Sequence, residues 1–217
     1  MEISNKEVLR YLRMTEAAAD ERIHSMVKEM TDFFSENIVP KSVYGIWDCQ
    51  IDSSTVALGG MNIKSKNLAK HLAGCRRAVL LAATLGVEAD TLIRRYSVQD
   101  MEKAVVAQAV CAAMIEAYCD KIESEFSQKN EFSGLYSTAR FSPGYGDFDI
   151  ARQKDILSLL NCGRIGLSMT DGYMLTPSKS VTAVIGFSDE KKRATELRAA
   201  GKCGGCADEQ CKYREAM

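Results

Sequence analysis

Residues 164–187 read RIGLSMTDGYMLTPSKSVTAVIGF. Two short strand-like segments flank the pair Asp171–Gly172, whose residue types suit the left-handed dihedrals of a two-residue turn, so a β-hairpin is expected. VTAVIGF, with its β-branched and apolar residues, adds a further strand. Strands joined this way are antiparallel. Upstream, SVYGIWDCQID and STVALGG also read as short strands. RAVLLAATLGVEADTLIRRYS gives an apolar strand, a Leu-Gly break and an amphipathic helix.

Helical signals surround these strands. Ser4 with Glu7 forms a capping-box pattern for a first short helix, and Thr15 is placed to cap a second. Ile23, Met26, Val27, Met30 and Phe33 recur at helical spacing in that second helix, which must stop before Pro40. Ser65 caps a helix through KNLAKHLAGC, and Ser97 with Asp100 opens the longest helix, running to about Phe126. DIARQKDILSLLNCG is a helix with Gly163 near its C-cap. Without a regular βαβ alternation, the expected class is α+β: one domain with a mainly antiparallel sheet flanked by helices. The composition changes at about Asp189. Residues 1–190, with the N-terminal helices of 1–40 as part of them, are therefore read as one domain, and 191–217 as a charged helix and Cys-rich tail.

Bulk composition narrows the function. The net charge is −1 with no strongly basic block, which argues against a nucleic-acid partner. The longest uncharged stretch, Ala104 to Ile115, is well short of the roughly 20 residues of a membrane span. The start, MEISNKEVLRYL, is charged and lacks the apolar centre of a signal peptide. The expectation is a cytoplasmic protein with neither a membrane nor a nucleic acid as partner. Cys49, Cys75, Cys111, Cys119 and Cys162 are scattered singly, as buried free thiols in a reducing compartment would be.

Three segments carry candidate chemistry. In TARFSPGYGDFD, residues 138–149, Pro143 and Gly144 fit the central positions of a type II turn that brings Ser142 and Tyr145 together. Glycines at 144 and 146 would let a ligand approach the backbone. Arg140 offers a planar fork suited to a carboxylate, and Tyr145 a flat amphipathic surface. A surface turn with an exposed Arg and a packed Tyr satisfies the same residues.

The second segment is AVVAQAVCAAMIEAYC, between Lys103 and Asp120, where Glu116 is the only charged residue. Its helical neighbours include Ala112, Ala113 and Cys119, a small-residue face that hydrates poorly. Burial there would raise the carboxyl pKa unless a cation compensates, either an internal Lys or Arg or a positively charged ligand. One carboxylate and one guanidinium beside a pocket would suit a zwitterion such as an amino acid or its sulfonium derivative. In the third segment, PSKS lacks the glycines of a phosphate-binding loop, and Lys179 is read as solvated.

ARFSPGYGDFD followed by LTPSKSVTAVIGFS closely resembles the activation (reactivation) domain of cobalamin-dependent methionine synthase, in its short stand-alone bacterial form. KNLAKHLAGCRRAVLLAATLGVEADTLIRRYSVQDMEKAVVAQAV is similar to the body of those proteins. The resemblance covers most of residues 1–190. It implies a C-shaped α+β domain that binds S-adenosylmethionine near an R-x-x-P-G-Y turn. Arg140 matches the motif arginine and Tyr145 its tyrosine, with Gly144 in the turn. Phe141 stands where the long form has a small residue whose backbone contacts the ligand, and Glu116 falls at the position of a helical glutamate in the pocket. The acidic residue that shortly precedes the motif arginine in the long form has Glu131 as its nearest candidate here.

The resemblance further implies a role in reductive methylation of cob(II)alamin, as a component of a methyltransferase acting with a partner. Cobalamin would be carried by a separate methionine synthase core or another corrinoid protein, because this chain lacks a D-x-H-x-x-G signature. A flavodoxin-like or ferredoxin-like electron donor is also implied. Cys203, Cys206 and Cys211 form a C-x-x-C-x-x-x-x-C spacing that suits zinc or an iron-sulfur cluster, with a fourth ligand such as Cys162; unliganded thiols or a redox pair have the same spacing. Two alternatives to ligand-assisted methylation therefore stand: a metal- or cluster-bearing redox activator, and a non-catalytic docking module for a corrinoid protein.

Overall fold

The computed structural model describes residues 3–190; the charged segment 191–217, with Cys203, Cys206 and Cys211, lies outside the described residues. The elements in chain order are α1 (Asn5–Tyr11), α2 (Glu21–Asn37), β1 (Lys41–Ile51), β2 (Thr55–Leu58), β3 (Met61–Lys64) and α3 (Lys66–Leu72). Then follow β4 (Arg77–Thr84), α4 (Val87–Gln99), α5 (Met101–Ser127), β5 (Tyr136–Ser137), α6 (Gln153–Leu159), β6 (Ser168–Met169), β7 (Leu175–Thr176) and β8 (Ser180–Ser188). The class is α+β, as expected. Among the described residues two compact units are present: 3–42 with Ala83–Ile122 and Gly163–Val181, and Val43–Ala82 with Glu123–Cys162 and 182–190.

The second unit carries the six-stranded sheet, in the order β3-β2-β1-β4-β8-β5. β1 with β2, β2 with β3 and β5 with β8 pair antiparallel. The neighbouring strands β4 and β8 are apolar on both faces: Ala78 to Ala82 of β4 and Ala183 to Ile185 of β8 are fully buried. That explains why AVLLAA and VTAVIGF show no polar alternation, since neither face meets water. A cluster of Phe126, Phe132 and Phe187 fills part of this core, with Phe132 and Phe187 stacked at 3.9 Å. Gln153 at the start of α6 accepts a buried hydrogen bond from the Thr182 hydroxyl at 3.0 Å, tying that helix to β8.

The first unit is mainly helical. The run between Lys103 and Asp120 carries a single charged residue, Glu116, because α5 buries Val106, Ala107, Val110, Cys111, Ala113, Met114 and Cys119. Ion pairs Arg22–Glu102 and Lys103–Glu29 join α2 to the start of α5. Asp90 accepts from both the backbone and the hydroxyl of Ser178, at 2.8 and 2.6 Å. Lys179 is half-buried rather than solvated, and burial pulls its ammonium pKa down. Its carbonyl accepts from Leu85 N–H at 2.9 Å, which holds the chain against the end of β4.

Several local expectations are corrected. The hairpin forms, but its loop has three residues rather than two. Met169 pairs with Leu175, and Thr170 N–H bonds Met174 O at 2.9 Å, leaving Asp171, Gly172 and Tyr173 between them. The left-handed residue is Tyr173, at φ 62°, in the position that follows a type I turn. The Thr170 hydroxyl accepts from Met174 N–H at 3.2 Å and closes the wider loop. The Ser4 side chain makes no cap; Glu7 bonds Arg10 one turn on instead of reaching back. Thr15 caps nothing with its side chain, and α2 is capped by Asp20, which accepts from Ile23 N–H at 2.8 Å. Ser97 lies inside α4, so Asp100 alone caps α5, accepting from Glu102 and Lys103 N–H. The left-handed residue after α6 is Asn161, not Gly163.

These caps give a direct comparison. Asp20→Ala is expected to cost about 1 kcal/mol of stability, whereas Ser4→Ala should change it by less than about 0.5 kcal/mol. Chemical denaturation of the two variants beside the parent protein checks both values.

Candidate functional site

The candidate site lies in the second unit, on the segment that leaves β5 and returns to α6. The segment is first zipped to β8. Thr138 N–H bonds Gly186 O at 2.9 Å, and the Thr138 hydroxyl accepts from Gly186 N–H at 3.0 Å. Phe141 and Val184 exchange two backbone hydrogen bonds of 2.9 Å. Both main-chain polar groups of Phe141 are therefore engaged by the sheet.

Beyond Phe141 the chain turns as the residue types demand. Tyr145 N–H bonds Ser142 O at 3.0 Å around Pro143 and Gly144, and Gly144 has φ 94°, the positive value a type II turn needs at its third residue. Gly144 N–H also bonds Phe148 O at 2.7 Å, and Phe148 N–H returns to Tyr145 O at 2.9 Å. Phe148 is buried at the base of this loop, while Tyr145 is half exposed at its crest. The ring of Phe141 lies between them, edge-on to Tyr145 at 5.8 Å and parallel to Phe148 at 6.2 Å.

Arg140 points inward. Its side chain is 16% exposed and forms an ion pair through Nη1 with Oε1 of Glu123, itself 4% exposed. A guanidinium this sheltered needs a carboxylate close by, and the last turns of α5 supply it. Sequence reasoning did not single out Glu123 and offered Glu131 as the nearest acidic candidate. The only trace of the pair in the sequence is that Glu123 follows Glu116 by two helical turns.

Helix α3 holds the loop at both of its ends. The carboxylate of Asp147 accepts from the Ser65 hydroxyl at 2.5 Å and from Asn67 N–H at 3.0 Å through Oδ1, and from Lys66 N–H at 2.8 Å through Oδ2. These bonds, the Ser65 one foremost, hold the Asp147 pKa below its ordinary value. Ser65 meanwhile caps Leu68 N–H at 3.0 Å, as its position in the sequence predicts. Gly146, at φ 56°, lies so close that a Cβ there would fall within the Asn67 side chain, 2.9 Å from Cγ. The open space at Gly146 is thus taken by the protein's own helix. Gly144 is less crowded, its missing Cβ facing only the Ile150 methyl at 3.3 Å.

At the other end of α3, His71 is 6% exposed and its Nε2 lies 2.9 Å from Ala139 O. The carbonyl can only accept, so the ring donates from Nε2. Its plane tilts over Phe141 at 4.8 Å. Burial lowers the His71 pKa, with the Ala139 bond opposing that shift.

The structure thus brings Arg140, Phe141, Gly144 and Tyr145 together on one short loop. Glu116 belongs to the other unit, half-buried on α5, where its charge adds to the burial that raises the Tyr11 phenol pKa. Among the described residues, no group of three or more His, Cys, Asp or Glu side chains could hold a metal ion, and Cys162 is buried.

Residues 69–212 match the family described as the vitamin B12 dependent methionine synthase, activation domain. This chain belongs to that family. The matched region contains Glu116 and the whole loop from Thr138 to Asp149, and runs past residue 190 into the tail. A solved structure described as the MetH reactivation domain bound to AdoHcy shares the fold, with a TM-score of 0.60 and 14% identity over 82% of this chain and 68% of that one. No curated protein matches the sequence. Among the described residues, no helix is long and apolar enough to cross a membrane.

Two measurements check the site. Glu123→Ala removes the carboxylate that pairs with the sheltered Arg140 and is expected to cost about 3 kcal/mol of stability by chemical denaturation. For His71, the folded pKa lies below the ordinary 6.5, so the unfolded chain takes up the proton first. Its contribution is complete above 6.5 and is lost as pH falls from there to the lower folded value. Stability should therefore decline as pH falls below about 6.5, and less steeply in His71→Phe.

Proposed function

We propose that this activation domain binds S-adenosylmethionine on the Arg140–Tyr145 loop and supports reductive methylation of cob(II)alamin carried by a partner. The observation that carries the reading is a cation and a flat ring set on one sheet-anchored turn, in a chain of the activation-domain family.

The residues present suit the ligand. A guanidinium offers N–H donors in a planar fork, and the pairing with Glu123 helps to fix the plane of that fork. Arg140 so oriented would take the ligand carboxylate. Tyr145, with half of its surface exposed, would cover an apolar or ring portion, and the bare Cα of Gly144 would admit the ligand to the turn. Because Phe141 has both backbone groups bonded to Val184, its part would be to support the turn through its ring. The resemblance adds Glu116 as the carboxylate that balances positive charge.

When bound, S-adenosylmethionine supplies an electrophilic methyl group on a sulfonium. This chain needs no nucleophile for that chemistry; its residues bind, orient and exclude water. The corrinoid would come from a methionine synthase core or a related corrinoid protein, and one electron from a flavodoxin-like or ferredoxin-like donor.

The decisive experiment mixes the protein with a corrinoid protein in the cob(II) state, a one-electron reductant and S-adenosylmethionine. Growth of the methylcobalamin absorption spectrum, dependent on all components, supports the reading; its absence defeats it. Arg140→Lys keeps a cation for Glu123 but removes the fork, and is expected to weaken S-adenosylmethionine binding by about 1.5–3 kcal/mol in calorimetry. Unchanged affinity would exclude Arg140 from the site.

A further inference from the structure

Helix α3 touches the candidate loop at Asp147, Gly146, Ala139 and the Phe141 ring, and none of these contacts uses Arg140 or Tyr145. Asp147 receives three hydrogen bonds from Ser65, Lys66 and Asn67 at the start of the helix. Gly146 packs its bare Cα against Asn67. His71, near the end of the helix, donates to Ala139, the residue before Arg140. The loop between these points contains the whole Arg140–Tyr145 turn.

A seven-residue helix is too short to be stable alone, so the dependence runs both ways. Ser65 cannot serve every N–H of the first turn, since its hydroxyl oxygen takes Leu68. Lys66 and Asn67 N–H find their acceptor in Asp147, eighty residues along the chain. A carboxylate accepting at the start of a helix gains from both the hydrogen bonds and the helix dipole. The loop in turn gains a support where its glycines would otherwise leave it loose. Both Asp147 oxygens accept from these donors, which ties the side chain to the start of α3.

We infer that Asp147 is a positioning residue: by closing the first turn of α3 it holds the Arg140–Tyr145 turn in its ligand-binding shape. This rests on the binding reading above. Pre-forming the turn removes an ordering cost from binding, so the loss of Asp147 appears as weaker affinity rather than only as lower stability.

The test compares Asp147→Ala, Asp147→Asn and the control Asp20→Ala, which removes a cap of the same kind from α2. Binding of S-adenosylmethionine is measured by calorimetry at a temperature where all variants are folded by circular dichroism. Asp147→Ala should weaken binding about tenfold or more, and Asn, which keeps one accepting oxygen, by an intermediate factor; Asp20→Ala should leave it unchanged. Hydrogen exchange on the unliganded protein provides a second readout. The amides of Gly144, Tyr145 and Phe148, bonded within the turn, should exchange faster in Asp147→Ala and as in the parent in Asp20→Ala. Parent-like affinity or parent-like protection of those amides in Asp147→Ala overturns the inference. If the parent protein itself fails to bind S-adenosylmethionine, the binding reading falls, and the exchange data alone decide whether Asp147 shapes the turn.

Discussion

A guanidinium withdrawn from water must meet a carboxylate, and in this protein the requirement is met by Arg140 and Glu123. Neither partner could be sheltered alone, because an uncompensated charge at such low exposure costs several kcal/mol. The pair joins the last turns of α5 to the strand-like segment beside β8, and it sets the direction in which the planar fork faces. The turn that follows begins two residues later, at Ser142, so its geometry starts close to an immobilised cation.

From that point the loop is held by the molecule's own backbone. Phe141 is locked to Val184, the type II turn closes on Ser142, Phe148 fills the base, and α3 receives Asp147 and Gly146. The result is a rigid platform with one half-exposed aromatic at its crest. In the function proposed above, rigidity of this sort would serve to present a small molecule to a reactive centre supplied by another protein. Positioning then contributes more than any acid, base or nucleophile of its own.

Much of the fold was legible from residue patterns. The long apolar runs at residues 78–83 and 181–187 became the buried centre of the sheet, and Ser65 and Asp100 cap the helices they were placed to cap. The failures were local contests among short-range partners. Glu7 had a choice between the Ser4 backbone and the Arg10 guanidinium, and charge prevailed. β3, only four residues with two of them polar, carries too little pattern to stand out; its pairing with β2 makes it a strand. The Pro143–Gly144 turn was readable because its dihedral needs are met by those two residue types alone.

Residue types and spacing by themselves determined the class of the fold, the turn and the residues displayed on it, since each follows from steric and hydrogen-bonding preferences within a few neighbours. Tertiary structure decided that Glu123 answers Arg140, that Asp147 caps a helix eighty residues before it, and that the space at Gly146 belongs to Asn67. Those pairings join residues far apart in sequence. A chain of letters records which groups need partners, but only packing brings a particular donor within reach of a particular acceptor.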